Sequence, residues 1–192
     1  MELVKVFDNV LDTSTCNNFI NLFNIRNDLQ KNGITSGGYT PELKITTDTN
    51  LSNHDCFKDI DTFLNSVLDN YIHKYFEYMF SLNNQYGIAV NDLKDTGFLM
   101  QKYEKNIGYF NYHHDFSSIY ENNQIYSRYL VYIFYLNDVD EGGETILWNN
   151  YKIKPKRGSL LFFPCTWTYP HKGNIPISHD KYIITGWLYG PS

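Results

Sequence analysis

The sequence has little cysteine and no long apolar run. Its 192 residues include three cysteines, Cys16, Cys56 and Cys165, which are widely separated and form no C-x-x-C pair. This argues against a disulfide framework or a zinc–thiolate site and favours a reducing compartment. No segment approaches the roughly 18 apolar residues of a membrane-spanning helix, and the start, MELVKVFDNVLD, lacks the basic and apolar regions of a signal peptide. We therefore expect a soluble, cytoplasmic protein with no membrane partner.

Basic residues are too few for general binding to nucleic acid. The chain has 16 Lys and Arg against 21 Asp and Glu, a net charge of -5, and no basic stripe. In one local basic segment, residues 152–157, basic residues alternate with uncharged ones, as they do on the solvated face of a strand. We favour that interpretation, so nucleic acid is the least favoured partner.

Aromatic residues, in contrast, are abundant, with 17 Tyr and 13 Phe. After about Asp95 they occur with β-branched residues in short runs separated by turn residues, which is typical of a β-sandwich or barrel. We expect a single domain over residues 1–192. In this prediction, residues 96–192 form a β-core that carries the functional site, and residues 1–95 form a supporting strand and helices.

The N-terminal part has a different pattern. Residues 3–11 predict a short strand, and residues 13–15 (TST) offer N-caps for a helix over residues 16–23. Residues 31–53 are rich in Gly, Thr and Asn and indicate a loop or an irregular strand. Apolar residues recur at three-four spacing over residues 55–82, which predicts a long amphipathic helix packed on the core.

The motif His113-His114-Asp115, with the distant His171, predicts a metal site. Residues two apart on a strand point to the same side, so His113 and Asp115 face one point while His114 faces away. Together with His171 they match the two-histidine, one-carboxylate facial triad of non-heme Fe(II) oxygenases. The motif alone is short enough to occur by chance on a surface, and a β-bulge could exchange the two neighbouring histidines.

Lys181 lies ten residues after His171, at the start of an apolar run. A lysine there is able to hold the carboxylate of an organic co-substrate. By itself it could equally be a solvent-facing lysine at a strand end. The spacing from His171 favours the binding role.

Residues 98–189 resemble the Fe(II)/2-oxoglutarate-dependent dioxygenases of the prolyl 4-hydroxylase type. The matching residues are Tyr103, Gly108-Tyr109-Phe110, His113-x-Asp115, Arg128, Tyr135-Leu136-Asn137, Gly142-Gly143-Glu144-Thr145, Pro155-x-x-Gly158, Phe162-Phe163-Pro164, His171-x-Gly173, Lys181 and Trp187. The resemblance implies an α+β fold, with a double-stranded β-helix (jelly roll) core and N-terminal supporting helices.

The resemblance also implies the cofactors and the residues that hold them. The cofactors are Fe(II), 2-oxoglutarate and O2, with ascorbate as an optional addition. The implied residues are His113, Asp115 and His171 for the metal and, for 2-oxoglutarate, Lys181, Tyr103, Tyr135 and Thr145. Each tyrosine has plain core packing as its alternative, and Thr145 could simply follow the Gly-Gly turn.

The implied reaction couples decarboxylation of 2-oxoglutarate to succinate with hydroxylation of a C–H bond, with a peptidyl prolyl residue as the leading substrate. Residues 33–46 and the tyrosine-rich residues 115–126 are the predicted lids. Alternatives are another amino acid, a small metabolite or a nucleobase as substrate, a jelly-roll binding module without activity, or a structural domain. We expect Trp187 to pack beside the site and Arg128 to pair with an acid or face the substrate.

Overall fold

The computed structural model describes residues 2–82 and 93–191. Two α-helices are α1 (Thr13–Ile25) and α2 (Lys58–Leu82). The strands are β1 (Lys5–Phe7), β2 (Lys31–Asn32), β3 (Lys44–Ile45), β4 (Thr47–Asn50), β5 (Lys94–Asp95), β6 (Leu99–Tyr103), β7 (Tyr109–His113), β8 (Ser118–Glu121), β9 (Gln124–Tyr135), β10 (Thr145–Leu147), β11 (Tyr151–Ile153), β12 (Leu160–Pro164), β13 (His171–Gly173) and β14 (Lys181–Pro191).

The strands form two antiparallel sheets. The larger follows the order β1-β12-β9-β14-β6-β4-β2, with β5 added on β14 and β8 on β9. The smaller follows the order β11-β10-β13-β7-β3. Because β10, β12, β13 and β14 alternate between the sheets along the chain, each sheet is assembled from distant segments. This arrangement confirms the predicted α+β jelly-roll class.

The central strand β9 separates two apolar cores. Its residues Tyr132 and Phe134 belong to the cluster that both helices cover, whereas Val131, Ile133 and Tyr135 belong to the cluster between the sheets. Strand side chains alternate between faces, so a continuously apolar strand can supply both cores. The helices therefore cover the outside of the larger sheet and leave the interior of the roll for the site.

Helix α2 was predicted from its apolar spacing, and its buried residues follow that spacing closely. Leu64, Leu68 and Ile72 are buried, but Phe63, which belongs to the same predicted stripe, is exposed. The N-cap of helix α1 differs from the prediction, which placed it within residues 13–15. The N-cap is Asp12, whose carboxylate accepts a hydrogen bond from the Thr15 backbone N–H at 2.7 Å.

Two segments predicted as loops contain strands. Residues 31–53 hold β2, β3 and β4, in agreement with the irregular-strand alternative. Residues 115–126 were predicted as a loop and mostly form a β8–β9 hairpin, so the predicted conformation was wrong, while the role as a lid stays a prediction. Asn122 and Asn123 both have positive φ, the backbone that a two-residue hairpin turn requires, and Asn adopts it readily.

The predicted extent of the domain stays a prediction, and residues 83–92 of its N-terminal part lie outside the described residues. Over the ranges that are described, no helix combines the length and apolar character needed to cross a membrane.

Leu64→Ala is expected to lower the free energy of unfolding by about 2–5 kcal/mol, since it opens a cavity between α2 and the larger sheet. Leu64 is 0% exposed. Leu82→Ala is the matched control: Leu82 ends the same helix, is 38% exposed, and its loss should change stability by less than about 0.5 kcal/mol. Equal losses in urea unfolding would contradict the packing described.

Candidate active site

The pairing of β7 with β13 brings the two predicted histidine ligands together. His171 lies directly opposite His113, and the next pair joins Gly173 to Phe110. One strand therefore advances two residues while the other advances three, which is a β-bulge at Asn111 and Tyr112. The bulge turns Phe110 and His113 to the same side, where their rings stack with centroids 3.6 Å apart.

Asp115 completes a cluster of three donor groups just beyond the end of β7. Its Oδ2 lies 3.3 Å from His171 Nε2, and its Oδ1 lies 3.9 Å from His113 Nε2. One donor atom from each residue lies within 4.8 Å of the others. This spacing allows a single metal ion to be bound by all three, and it is the only such cluster in residues 2–82 and 93–191.

The outer nitrogen of each imidazole is already held by the backbone. His113 Nδ1 lies 2.8 Å from the Asn111 carbonyl oxygen, and His171 Nδ1 lies 3.1 Å from the Tyr169 carbonyl oxygen. A carbonyl accepts only from a protonated nitrogen, so each Nε2 keeps its lone pair for a metal. The two hydrogen bonds thus fix both the tautomer and the ring orientation.

Protonation states also suit a metal. Burial and the neighbouring His171 lower the pKa of His113 to about 4, so its ring is neutral at physiological pH. Burial acts to raise the pKa of Asp115, but its interactions with the nearby His171 and His113 side chains hold it well below the usual value, so the carboxylate is ionised. Two imidazole nitrogens and an ionised carboxylate fit the donor preference of Fe(II).

His114 is exposed and takes no part in this cluster. The bulge that might have exchanged it with His113 lies earlier in β7 and leaves His113 facing inward.

Lys181 is a charged residue that is buried in the interior. It is 1% exposed, donates a hydrogen bond to the Gly143 carbonyl at 3.0 Å, and lies 4.1 Å from the centre of the Tyr103 ring. No carboxylate lies within ion-pair distance of its Nζ among the described residues. Burial accordingly lowers its pKa to about 7, and the charge of Glu144 opposes this only in part. A buried ammonium without a counterion is costly, which indicates a place for an anionic ligand.

The other predicted co-substrate residues surround Lys181. Tyr103 lies opposite it on the neighbouring strand β6, and the Tyr135 hydroxyl donates to Thr145 Oγ1 at 2.7 Å. Burial raises the pKa of Tyr103 and of Tyr135, so both hydroxyls keep their protons as hydrogen-bond donors. Thr145 lies on β10, directly opposite Gly173. The structure thus brings all four residues to one part of the interior.

A buried polar network lies beside Tyr103, and no pattern in the sequence indicates it. Lys44 Nζ donates to Asp48 Oδ2 at 2.7 Å, Gln101 Nε2 donates to the same oxygen at 3.1 Å, and the Tyr103 hydroxyl donates to Gln101 Oε1 at 3.4 Å. Lys44 also lies 5.3 Å from the centre of the Phe110 ring. The network connects the base of the predicted 33–46 lid with both halves of the site.

Among the residues that the structure describes, Arg128 pairs with no acidic side chain, which was one of its two predicted roles; the other, a contact to the substrate, stays a prediction. Its guanidinium lies 3.8 Å from the centre of the Trp187 ring, donates to the Tyr189 hydroxyl at 2.9 Å, and donates to the backbone carbonyl of Asp115 at 3.3 Å. Trp187 packs against the interior cluster beside the site, as predicted.

Residues 98–189 match the family model described as the 2OG-Fe(II) oxygenase superfamily. This part of the chain belongs to that superfamily, and the protein is an Fe(II)- and 2-oxoglutarate-dependent dioxygenase, which confirms the predicted enzyme class and its cofactors Fe(II), 2-oxoglutarate and O2. Ascorbate stays a prediction. The chain matches no curated protein at the level of sequence.

Solved structures of prolyl hydroxylases share the fold. A prolyl hydroxylase from Trichoplax adhaerens, in complex with a hypoxia inducible factor peptide fragment, has a TM-score of 0.73 at 19% identity, over 99% of this chain and 84% of that one. The viral collagen prolyl hydroxylase of Paramecium Bursaria Chlorella virus-1 has a TM-score of 0.63 at 19% identity, over 98% and 96%. A Pseudomonas putida prolyl-4-hydroxylase has a TM-score of 0.64 at 12% identity, over 98% and 93%.

Lys181→Met is expected to stabilise the ligand-free protein, by about 1–4 kcal/mol, because it removes an uncompensated buried charge. The gain should be greatest below pH 7, where native and unfolded Lys181 are both protonated. It should shrink as the pH rises from about 7 towards 10.5, where only the unfolded chain keeps the proton.

Thermal unfolding at several pH values measures this effect. Lys152→Met, at an exposed position on β11, is the control and should show no comparable gain. A loss of stability in Lys181→Met at pH 6 would contradict the uncompensated charge.

Proposed function

We propose that this protein hydroxylates prolyl residues of peptides, with Fe(II) bound by His113 Nε2, His171 Nε2 and an Asp115 carboxylate oxygen. In this proposal Lys181 Nζ receives the distal carboxylate of 2-oxoglutarate. The observation that carries it is the combination of a three-donor cluster with a buried ammonium that has no counterion in the same interior.

When bound, iron and 2-oxoglutarate supply the oxidising power, since decarboxylation of the co-substrate to succinate accompanies hydroxylation of a C–H bond. The three protein donors would occupy only part of a metal's coordination sphere and would leave room for the co-substrate and O2. The backbone carbonyls of Asn111 and Tyr169 keep the two imidazoles in the tautomer that binds metal.

The chain orients the co-substrate and excludes water from it. Lys181 gives the distal carboxylate a fixed partner in an interior that is closed to solvent, where an ion pair is stronger than in water. Binding of that anion returns the lowered pKa of Lys181 towards its ordinary value. The protonated hydroxyls of Tyr103 and Tyr135 and the Thr145 hydroxyl are available as further hydrogen-bond partners.

Two lines of support favour a peptide substrate. Solved structures with this fold include prolyl hydroxylases, and one of them is in complex with a peptide. In addition, Phe116 and Tyr112, which flank the metal motif, are both exposed, and Ile119 and Tyr120 of the adjoining hairpin are exposed as well. Proline-rich segments bind to aromatic side chains in other recognition domains, and these residues offer such side chains next to the metal motif.

Anaerobic titration of the metal-free protein with Fe(II) and then 2-oxoglutarate tests the site assignment. We expect a weak metal-to-ligand charge-transfer band in the visible that is lost in Asp115→Ala and in His171→Ala. His114→Ala is the matched control and should keep the band. Lys181→Ala should weaken binding of 2-oxoglutarate while metal affinity is largely unchanged. Persistence of the band in both ligand variants would contradict the assignment.

Succinate release tests the substrate class. With Fe(II), 2-oxoglutarate and O2 present, peptides that contain proline should increase succinate formation well above the uncoupled rate and should gain one oxygen atom by mass spectrometry. The same peptides with alanine in place of proline are the control. Stimulation by free amino acids, and by no peptide, would indicate a small-molecule oxygenase instead.

A further inference from the structure

We propose that Arg128 is a positioning residue for the metal's carboxylate ligand, and that Trp187 acts with it. The inference rests on the proposed role of Asp115. This role at the metal centre was not expected from the sequence.

Asp115 needs such support because it lies outside the strands. The strand β7 ends at His113, and residues 114–117 have no regular structure. The position of the carboxylate therefore depends on contacts made by this short segment, and Arg128 makes two of them. Its backbone N–H donates to the Ser117 carbonyl at 2.9 Å, and its Nη1 donates to the Asp115 carbonyl at 3.3 Å.

Arg128 is itself fixed on a rigid support. It lies in β9 opposite Tyr189 of β14, and its Nε donates to the Tyr189 hydroxyl at 2.9 Å. Its guanidinium carbon stacks 3.8 Å from the centre of the Trp187 ring, a cation–π contact. Within the described residues no carboxylate pairs with the Arg128 guanidinium. It is held by aromatic rings and directed at the backbone of residues 114–117.

Trp187 packs between Arg128 and the interior core. Its ring supports the guanidinium, and its Nε1 is buried without a hydrogen-bond partner in the described part of the chain. The planar guanidinium held against this ring restricts the movement of the segment that carries Asp115.

A positioning role and a substrate-binding role predict different effects on metal affinity and on the KM for the peptide. A residue that positions Asp115 sets the affinity and coordination of the metal before any substrate is present. Partners of metal ligands typically change metal affinity by about 10- to 100-fold when they are removed. A residue that contacts only the peptide changes the KM for the peptide and leaves metal binding unaltered.

The test measures Co(II) affinity by chelator competition, together with the visible Co(II) absorption spectrum, in the absence of 2-oxoglutarate and peptide. Arg128→Gln should weaken Co(II) binding about 10- to 100-fold and shift the spectrum towards that of Asp115→Ala. Arg128→Lys, which keeps the charge but loses the planar fork, should fall between Arg128→Gln and the parent protein. Trp187→Phe, which keeps a smaller aromatic ring beside the guanidinium, should show a smaller loss. Arg26→Gln, at an exposed ion pair after α1, is the control.

A double variant separates positioning from general damage to the fold. If Arg128 acts through Asp115, Arg128→Gln should weaken Co(II) binding no further in an Asp115→Ala background. Parent-like Co(II) affinity and spectrum in folded Arg128→Gln and Arg128→Lys, with a raised KM for peptide, would overturn the proposal and leave the proposed function intact. Parent protein that binds Co(II) no better than Asp115→Ala would overturn both.

Discussion

The antiparallel pairing of β7 with β13 is the constraint on which the site depends. His113 and His171 are far apart in the chain and become neighbours only because their strands are paired in one register. The bulge in β7 is equally important, since it turns His113 inward and stacks it on Phe110. A shift of one residue would turn the histidine to the outer face, so the remaining strands act as a frame that fixes this register.

The larger sheet supplies the second half of the site. Its strands β6, β9 and β14 direct Tyr103, Tyr135 and Lys181 into the interior, and the helices close its other face. Lys181 carries a charge that the ligand-free fold leaves without a counterion. The fold is therefore less stable than it could be at this position, and in the proposed function this deficit is the physical basis for binding an anionic co-substrate.

Much of this arrangement could be predicted from the sequence, because its signals are local or ordered along the chain. The spacing of apolar residues indicated α2, the short aromatic runs indicated a β-core, and the motif order indicated the oxygenase class. Asp12 replaced Thr13 as the helix cap because its carboxylate reaches the Thr15 N–H, a choice that depends on backbone geometry. The 115–126 segment was mistaken for a loop because its turn is Asn-Asn, with no glycine to indicate a hairpin.

What could not be predicted depends on contacts between distant segments. Lys44 and Asp48 lie in a polar segment that resembles a loop, yet both are buried, and only the pairing of β4 with β6 brings Asp48 to Gln101. Arg128 appeared to need an acidic partner, whereas its charge lies between aromatic rings and a backbone carbonyl. Both arrangements are tertiary and leave no periodic signal.

The most direct test of the central claim is an anaerobic crystal structure of the protein with Mn(II) and 2-oxoglutarate. The account predicts one metal ion bound by His113 Nε2, His171 Nε2 and the Asp115 carboxylate, and a co-substrate whose far carboxylate contacts Lys181 Nζ. A metal ion bound through His114, or a co-substrate carboxylate bound away from Lys181, would contradict it.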